Sequence, residues 1–206
     1  MFKIDLHIHT ILGGDSYIQP HDLVMRAQQV GLDAVCVTEH HSYTLSEPLE
    51  KISRSTGFPI FRGLEYSAAE GHILVYGVKA EKGDLPPGMR MQDAIDAVHT
   101  RGGVAVPAHP YQMDLLGGSL GDRVLELRDL IALEAINGSA SLEENKRAMG
   151  AATRLDIQGI GGSDAHGIPT LGRAYTIFPE PINTEKELVS ALKEGIYTPC
   201  WDEDYR

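Results

Sequence analysis

Asp5, His7 and His9 close the run MFKIDLHIHT, and Asp164 and His166 close a second run, GIGGSDAH. Residues two apart on a strand share a face, so each group aims its polar side chains at one spot. Imidazole with carboxylate is the donor set of a hydrolytic metal ion. More apolar runs end the same way, TEH at His40, GLE at Glu65 and AHP at His109, with His72 opening the run HILVYG and Asp15 soon after the first. A lone histidine in such a place is usually a hydrogen-bonded structural residue. Six of the nine histidines placed so points instead to a shared metal site.

The segments that carry these residues alternate in period. FKIDLHIH has a strand pattern, whereas PHDLVMRAQQVG repeats Leu23, Val24, Ala27 and Val30 at helical spacing between Pro20 and Gly31. DAVCVTEH is a second strand, a helix-compatible stretch covers 45–56, and FPIFRGLEYS and HILVYGVK are further strands. MQDAIDAVHTRGG reads as a helix, VAVPAHP as a strand, 119–130 as helical, and IALEAING as a strand. SLEENKRAMGAATRL, IQGIGGSDAH, GRAYTIF and TEKELVSALKEG then follow as helix, strand, strand and helix. Such alternation predicts a largely parallel α/β protein. Polar groups ending five strands fit a closed barrel better than an open sheet, and 206 residues are few for eight βα units. An irregular barrel is expected, formed by one domain over 1–206.

Two short connections refine this. YSAAEG between Glu65 and His72 is too short for a parallel crossover, so the chain must turn back and set His72 beside Glu65. GIPTLG after SDAH is equally short. Arg173 should therefore begin a returning strand near Asp164 and His166, as an anion contact or a rim salt bridge.

The chain carries a formal charge of −11, with 42% apolar residues. Nothing in that balance suits a long nucleic acid, which needs clustered Lys and Arg. No apolar run has membrane-spanning length and the start lacks a signal-peptide pattern, so a cytoplasmic protein without membrane contact is expected. Cys36 and Cys200 form no CxxC pair; Cys36, inside an apolar run, reads as a small buried hydrophobe.

DLHIHT with Asp15, TEH, GLE followed by GHILVYG, AHP and GGSDAH together resemble the PHP family, named for polymerase and histidinol phosphatase. The resemblance runs in the family's order to about Phe178. It implies a distorted (β/α)7 barrel with the metal site at the C-terminal ends of the strands. Two to three divalent ions, commonly zinc, manganese or iron, are implied. His7, His9, Glu65 and Asp164 would hold the first. Glu65 would bridge to a second, held with His72 and His109. Asp15, His40 and His166 would take the third. Glu65, Asp164 and His166 are the implied catalytic set.

The expected activity is that of a metal-dependent phosphoesterase acting on a small phosphate monoester through a metal-bridged hydroxide. One alternative keeps the chemistry and changes the substrate to phosphodiesters or short nucleotides, as an exonuclease would. Another is a non-catalytic, metal-stabilised regulatory or scaffold module, against which stands the complete ligand set.

Other residues near the centre carry weaker expectations. His41 is either a substrate-phosphate contact or a solvated loop residue, and Asp5 either orients a ligand imidazole or accepts a backbone hydrogen bond. Glu134 and Asn137 read as structural, with partners behind the ligands or substrate contacts as the alternatives, and His21 and His99 as surface residues. PYQMDLLGGSLGD reads as an ordinary βα loop, with Tyr111 stacking on substrate as the alternative.

Overall fold

The computed structural model describes residues 1–113 and 118–202. Its strands are β1 (Phe2–Ile8), β2 (Ala34–Val37), β3 (Ile60–Ser67), β4 (His72–Tyr76), β5 (Val104–Pro107), β6 (Ala132–Asn137), β7 (Gln158–Gly162), β8 (Ala174–Phe178) and β9 (Thr198–Trp201). The helices are α1 (Pro20–Gln29), α2 (Leu49–Thr56), α3 (Met91–Thr100), α4 (Leu142–Leu155) and α5 (Glu185–Glu194). Sequence signals explain the helix ends. Pro20 opens α1, a reciprocal Ser141–Glu144 capping box opens α4, and Gly195 closes α5 at φ 72°.

One curled sheet runs β5-β4-β3-β2-β1-β8-β9, and β6 pairs with β7 in a second. β6 packs beside β5 and β7 beside β1, so β1 to β7 surround one interior in chain order. The result is a distorted α/β barrel, as expected. β1, β2 and β3 are parallel, whereas β4 runs antiparallel to both β3 and β5. The short turn from Glu65 to His72 does turn back: Ser67 pairs with His72. The central strands are buried on both faces, β3 from Ile60 through Tyr66, because helices cover the outside.

Three local readings are corrected. The stretch 119–130 holds only a 3-10 turn, Gly121–Glu126, and 45–56 is a 3-10 turn, Tyr43–Ser46, followed by α2. β8 returns antiparallel, as expected, with its ladder on Phe2–Ile4 of β1 and β7 packed beside it. His99 is no simple surface residue, since its Nε2 accepts the Ala105 N–H at 3.3 Å and ties α3 to β5. His21 is exposed beside Asp22, and Cys36 is fully buried.

The close approach of β7 to β1 decides where Asp164 lies. A Cβ on Gly162 would meet His7 Cβ at 2.5 Å. Its absence lets the Asp164 N–H reach the His7 carbonyl at 2.7 Å. Asp5 strengthens the same seam. Its buried carboxylate accepts the N–H groups of Ser163 (2.8 Å), Gly172 (3.1 Å) and His7 (3.3 Å). Asp5 thus stitches backbone and touches no ligand imidazole.

Candidate metal centre

The strand ends deliver their polar side chains to one place. Parallel pairing of β1, β2 and β3 aligns His9, His40 and Glu65, with His40 and Glu65 joined by a bridge. His109 lies beside His72 because the Ala108 N–H bonds the His72 carbonyl at 3.0 Å. Asp164 and His109 adopt positive φ, 52° and 26°, as does His41 at 63°. Backbone of this kind collects where surroundings over-determine it, as at ligand sites.

Three groups of side chains converge there: His7, His9, Glu65 and Asp164; Glu65, His72 and His109; and His9, Asp15, His40 and His166. In the first, His7 Nε2 and His9 Nε2 lie 3.2 Å apart, 3.3 and 3.0 Å from Glu65 Oε2, and 3.5 Å each from Asp164 Oδ1. Four ligands about 2.0–2.2 Å from a tetrahedral ion would stand roughly 3.3–3.6 Å apart. The other oxygen of Glu65 faces the second group, 2.8 Å from His72 Nδ1 and 3.1 Å from His109 Nε2. In the third group Asp15 Oδ2 is 3.1 Å from His40 Nε2 and 3.7 Å from His166 Nε2. His9 joins this group as well, with the His40 and His166 rings stacked 4.7 and 4.3 Å from its own.

These atoms face a common point, and some of them make no hydrogen bond to one another. His72 Nδ1 makes no aligned hydrogen bond despite its 2.8 Å approach to Glu65, and His40 Nδ1 is likewise buried without one. Lone pairs converging in this way fit divalent cations.

Charge balance agrees. Burial alone would push the His7 imidazole down, but Asp164, Glu134 and Glu65 outweigh it and hold it well above the usual histidine range. His109 is likewise raised, to about 9, where burial is overcome by Glu65, Asp164 and Glu134. Glu65, which burial would raise, is held well below the carboxylate range by His7, His109 and His72. His40 is lowered by burial, with His9 and His72 adding to the effect. Without cations, protons balance the excess of carboxylates.

Two further glutamates support the ligands. Glu134, fully buried on β6, accepts from His7 Nδ1 at 2.9 Å, from the His109 N–H at 2.6 Å and from Asn137 Nδ2 at 3.0 Å. It fixes which nitrogen of His7 faces the centre. Glu39, also fully buried, accepts from the Thr10 N–H and hydroxyl and stands 4.0 Å from His9 Nδ1. Gly13 leaves room for it, since a Cβ there would meet Glu39 Oε2 at 2.3 Å. Burial raises the Glu39 carboxyl to about 7. Sequence reasoning missed Glu39 and gave Glu134 a place behind the ligands only as the alternative to a structural role. The signal for Glu39 was its place in TEH, one residue before His40 and just past the buried strand β2.

The remaining expectations resolve unevenly. A cavity of about 360 Å³ is walled by His40, Glu65, His72, His109, Asp164 and His166 with Gln112 and Met113. Neither Arg173 nor His41 lines it. His41 is half-buried against the Tyr66 ring, 6.1 Å from the His40 ring. Tyr111 is unable to stack on a substrate: it is buried, its hydroxyl donates to Asp122, and Arg147 covers its ring. The tip of its loop, 114–117, lies outside the described residues.

A cluster of imidazoles and carboxylates built for divalent ions, at the C-terminal ends of barrel strands, defines a metal-dependent hydrolase. The sequence matches the PHP domain family over residues 5–127 and a PHP-associated family over 143–196. The chain belongs to the PHP family and is a metal-dependent phosphoesterase of that family. An uncharacterized protein of Methanocaldococcus jannaschii is 30% identical over 66% of this chain and 81% of its own. A Shewanella sediminis protein named as a probable phosphatase is 27% identical over 96% of this chain and 93% of its own. Among solved structures, PsfC from Pseudomonas syringae superposes with TM-score 0.71 at 19% identity, covering 99% of this chain and 93% of that one. A two-domain Bacteroides vulgatus protein, described as containing a predicted PHP-like metal-dependent phosphoesterase, gives 0.75 at 18%, covering 98% of this chain and 65% of its own. Among the described residues no helix is long and apolar enough to cross a membrane.

Proposed function

We propose that this chain hydrolyses a small phosphate monoester, using two to three divalent ions of zinc, manganese or iron held by the three groups. The observation that carries this reading is Glu65, whose two oxygens face two separate histidine pairs at 2.8–3.3 Å. Ions bound there would acidify a water and neutralise the oxygens of a phosphoryl group.

The chain's own residues set the geometry for that chemistry. His7, His9, Glu65 and Asp164 would hold the first ion, Glu65, His72 and His109 the second, and Asp15, His40 and His166 the third. His166 donates from Nδ1 to the Asp164 carbonyl at 3.1 Å and turns Nε2 toward Asp15. With both ring nitrogens committed, it holds an ion rather than moving a proton. Its catalytic part, like that of Glu65 and Asp164, is to fix position and charge at the cavity wall. The departing oxygen then takes its proton from solvent, which reaches the open cavity. Against Asp15, Glu65, Asp164 and Glu134, three divalent ions would leave a charge of about +2, which draws an anion despite the acidic surface.

The monoester is favoured over the diester because the cavity that shares His72, His109 and Gln112 with the centre gives space for one organic arm. A soluble substrate rather than a long nucleic acid suits the net charge of −11. The test is phosphate release, with manganese or zinc supplied, from monoesters and dinucleotides at equal concentration. Monoesters should be cleaved at least about tenfold faster. Faster cleavage of dinucleotides would replace this reading with the diesterase one.

A further inference from the structure

The cavity beside the metal-ligating residues has walls that specify a ligand. It holds about 340 Å³ and shares His72, His109 and Gln112 with the central cavity. Two other cavities of similar size, beside α5, share no residue with the centre. With phosphorus placed where the ligand atoms converge, the side cavity is next to it across His72 and His109.

The apolar wall is made of small groups, Ala68, Ala69 and Gly71 from the β3–β4 turn and Ala108 after β5. Among the described lining residues there is no phenyl, phenol or indole ring. The nearby tyrosines are committed elsewhere: Tyr66 donates to the Pro86 carbonyl at 2.5 Å, and Tyr111 to Asp122 at 2.9 Å under Arg147. A nucleobase would therefore find none of the aromatic faces on which bases stack.

Two charged side chains complete the wall, Glu70 and Arg123. Glu70 accepts the Met91 N–H at 2.7 Å, at the start of α3, and is occupied with the helix end. Arg123 donates from Nε to the Leu120 carbonyl at 3.1 Å and from Nη2 to the Ser119 carbonyl at 2.8 Å. These two bonds orient the guanidinium in advance and leave Nη1 for a ligand. The adjacent carboxylate, Asp122, faces Tyr111 and Arg147 instead.

We propose that the side cavity seats the leaving group and that Arg123 binds an anionic group at its far end. The substrate is then a compact aliphatic phosphomonoester that carries a carboxylate or a second phosphate. This inference rests on the phosphoesterase reading above, and it adds the class of leaving group.

The test compares metal-loaded wild type with Arg123→Ala and Arg123→Lys on matched esters: glycerol 3-phosphate, 3-phosphoglycerate, 1,3-propanediol bisphosphate and adenosine 5′-monophosphate. Turnover is read as kcat and KM, and binding separately by calorimetry at low and high salt. Wild type should favour the doubly anionic aliphatic esters over glycerol 3-phosphate by about tenfold, mainly in KM. Arg123→Ala should collapse that ratio toward one, and Arg123→Lys should restore part of it. High salt should shrink the preference, because Arg123 is exposed. Which arm gains, carboxylate or second phosphate, identifies the anion. Equal ratios in wild type and Arg123→Ala, or best turnover of the nucleotide, would overturn the proposal while sparing the phosphoesterase reading. Arg123-dependent binding without cleavage of any ester would instead uphold the subsite and contradict that reading.

Discussion

The first and third ligand groups share His9 yet differ in almost everything else. The first is sunk into the barrel, with His7 and His9 fully buried and the Asp164 side chain 11% exposed. His7 stands on β1 and His9 directly follows its last residue, and buried glutamates stand behind them. In the third, the side chains of Asp15, His40 and His166 are 37%, 28% and 40% exposed, and all three lie in loops beyond strand ends. The first group is therefore preorganised by packing, and the third is set by loops open to water. The difference teaches that one centre can combine a fixed platform with an exchangeable rim, and that affinity should follow burial and support.

The sharpest way to break that comparison is to remove the platform's charge. Glu65→Gln and Asp164→Asn should each lower kcat by roughly a thousandfold or more, with the folded circular-dichroism spectrum retained. Near wild-type turnover in either folded variant would remove that residue from the centre.

Support comes next. Glu134→Gln should weaken the tightest metal equivalent by about 10- to 100-fold, measured by competition with a calibrated chelator. Glu39→Gln should do less, since Glu39 stands 4.0 Å from His9 while Glu134 touches His7 at 2.9 Å. Asp15→Asn should lose the weakest equivalent and leave the tight ones. Loss of the tightest equivalent would reverse the ranking of the two groups.

Acidity sharpens the same picture. The metal-free His109 titrates at about 9, and His7 lies above its usual range. A histidine with a raised folded pKa adds stability that is full below about 6.5 and is lost as pH rises through the folded value. The metal-free protein should thus lose stability between about pH 6.5 and 9, and cations should restore it. Metal binding at pH 7.5 should release protons, detected by calorimetry in buffers of different ionisation enthalpy. Binding without proton release would contradict the charge balance.

The smallest effect concerns the seam that sets both groups in place. Asp5→Asn should cost about 1–3 kcal/mol, read from denaturant midpoints, because an amide cannot accept from Ser163, Gly172 and His7 together. An unchanged midpoint would show that Gly162 alone secures the seam.

The nine ligand-type residues were legible because period-two strands and polar strand ends leave a local signature. The turn after Glu65 was legible too, because a short connection forbids a parallel crossover. Glu39 and Glu134 were not, since a buried carboxylate shows its partner only after β2 and β6 have been placed around β1. Arg173 was placed only in part for the same reason: connection length shows that β8 turns back, but not that its ladder is with β1. Tyr111 needed Asp122 and Arg147, which reach it only in the folded chain.

The most direct test of the account is a metal titration of chelator-stripped, folded protein, following bound metal and phosphate release from a monoester together. We expect no turnover in the stripped protein and recovery once at least two equivalents of manganese or zinc are bound. Turnover that persists under chelation, or its absence with the ligand groups filled across a broad panel of esters, would contradict it.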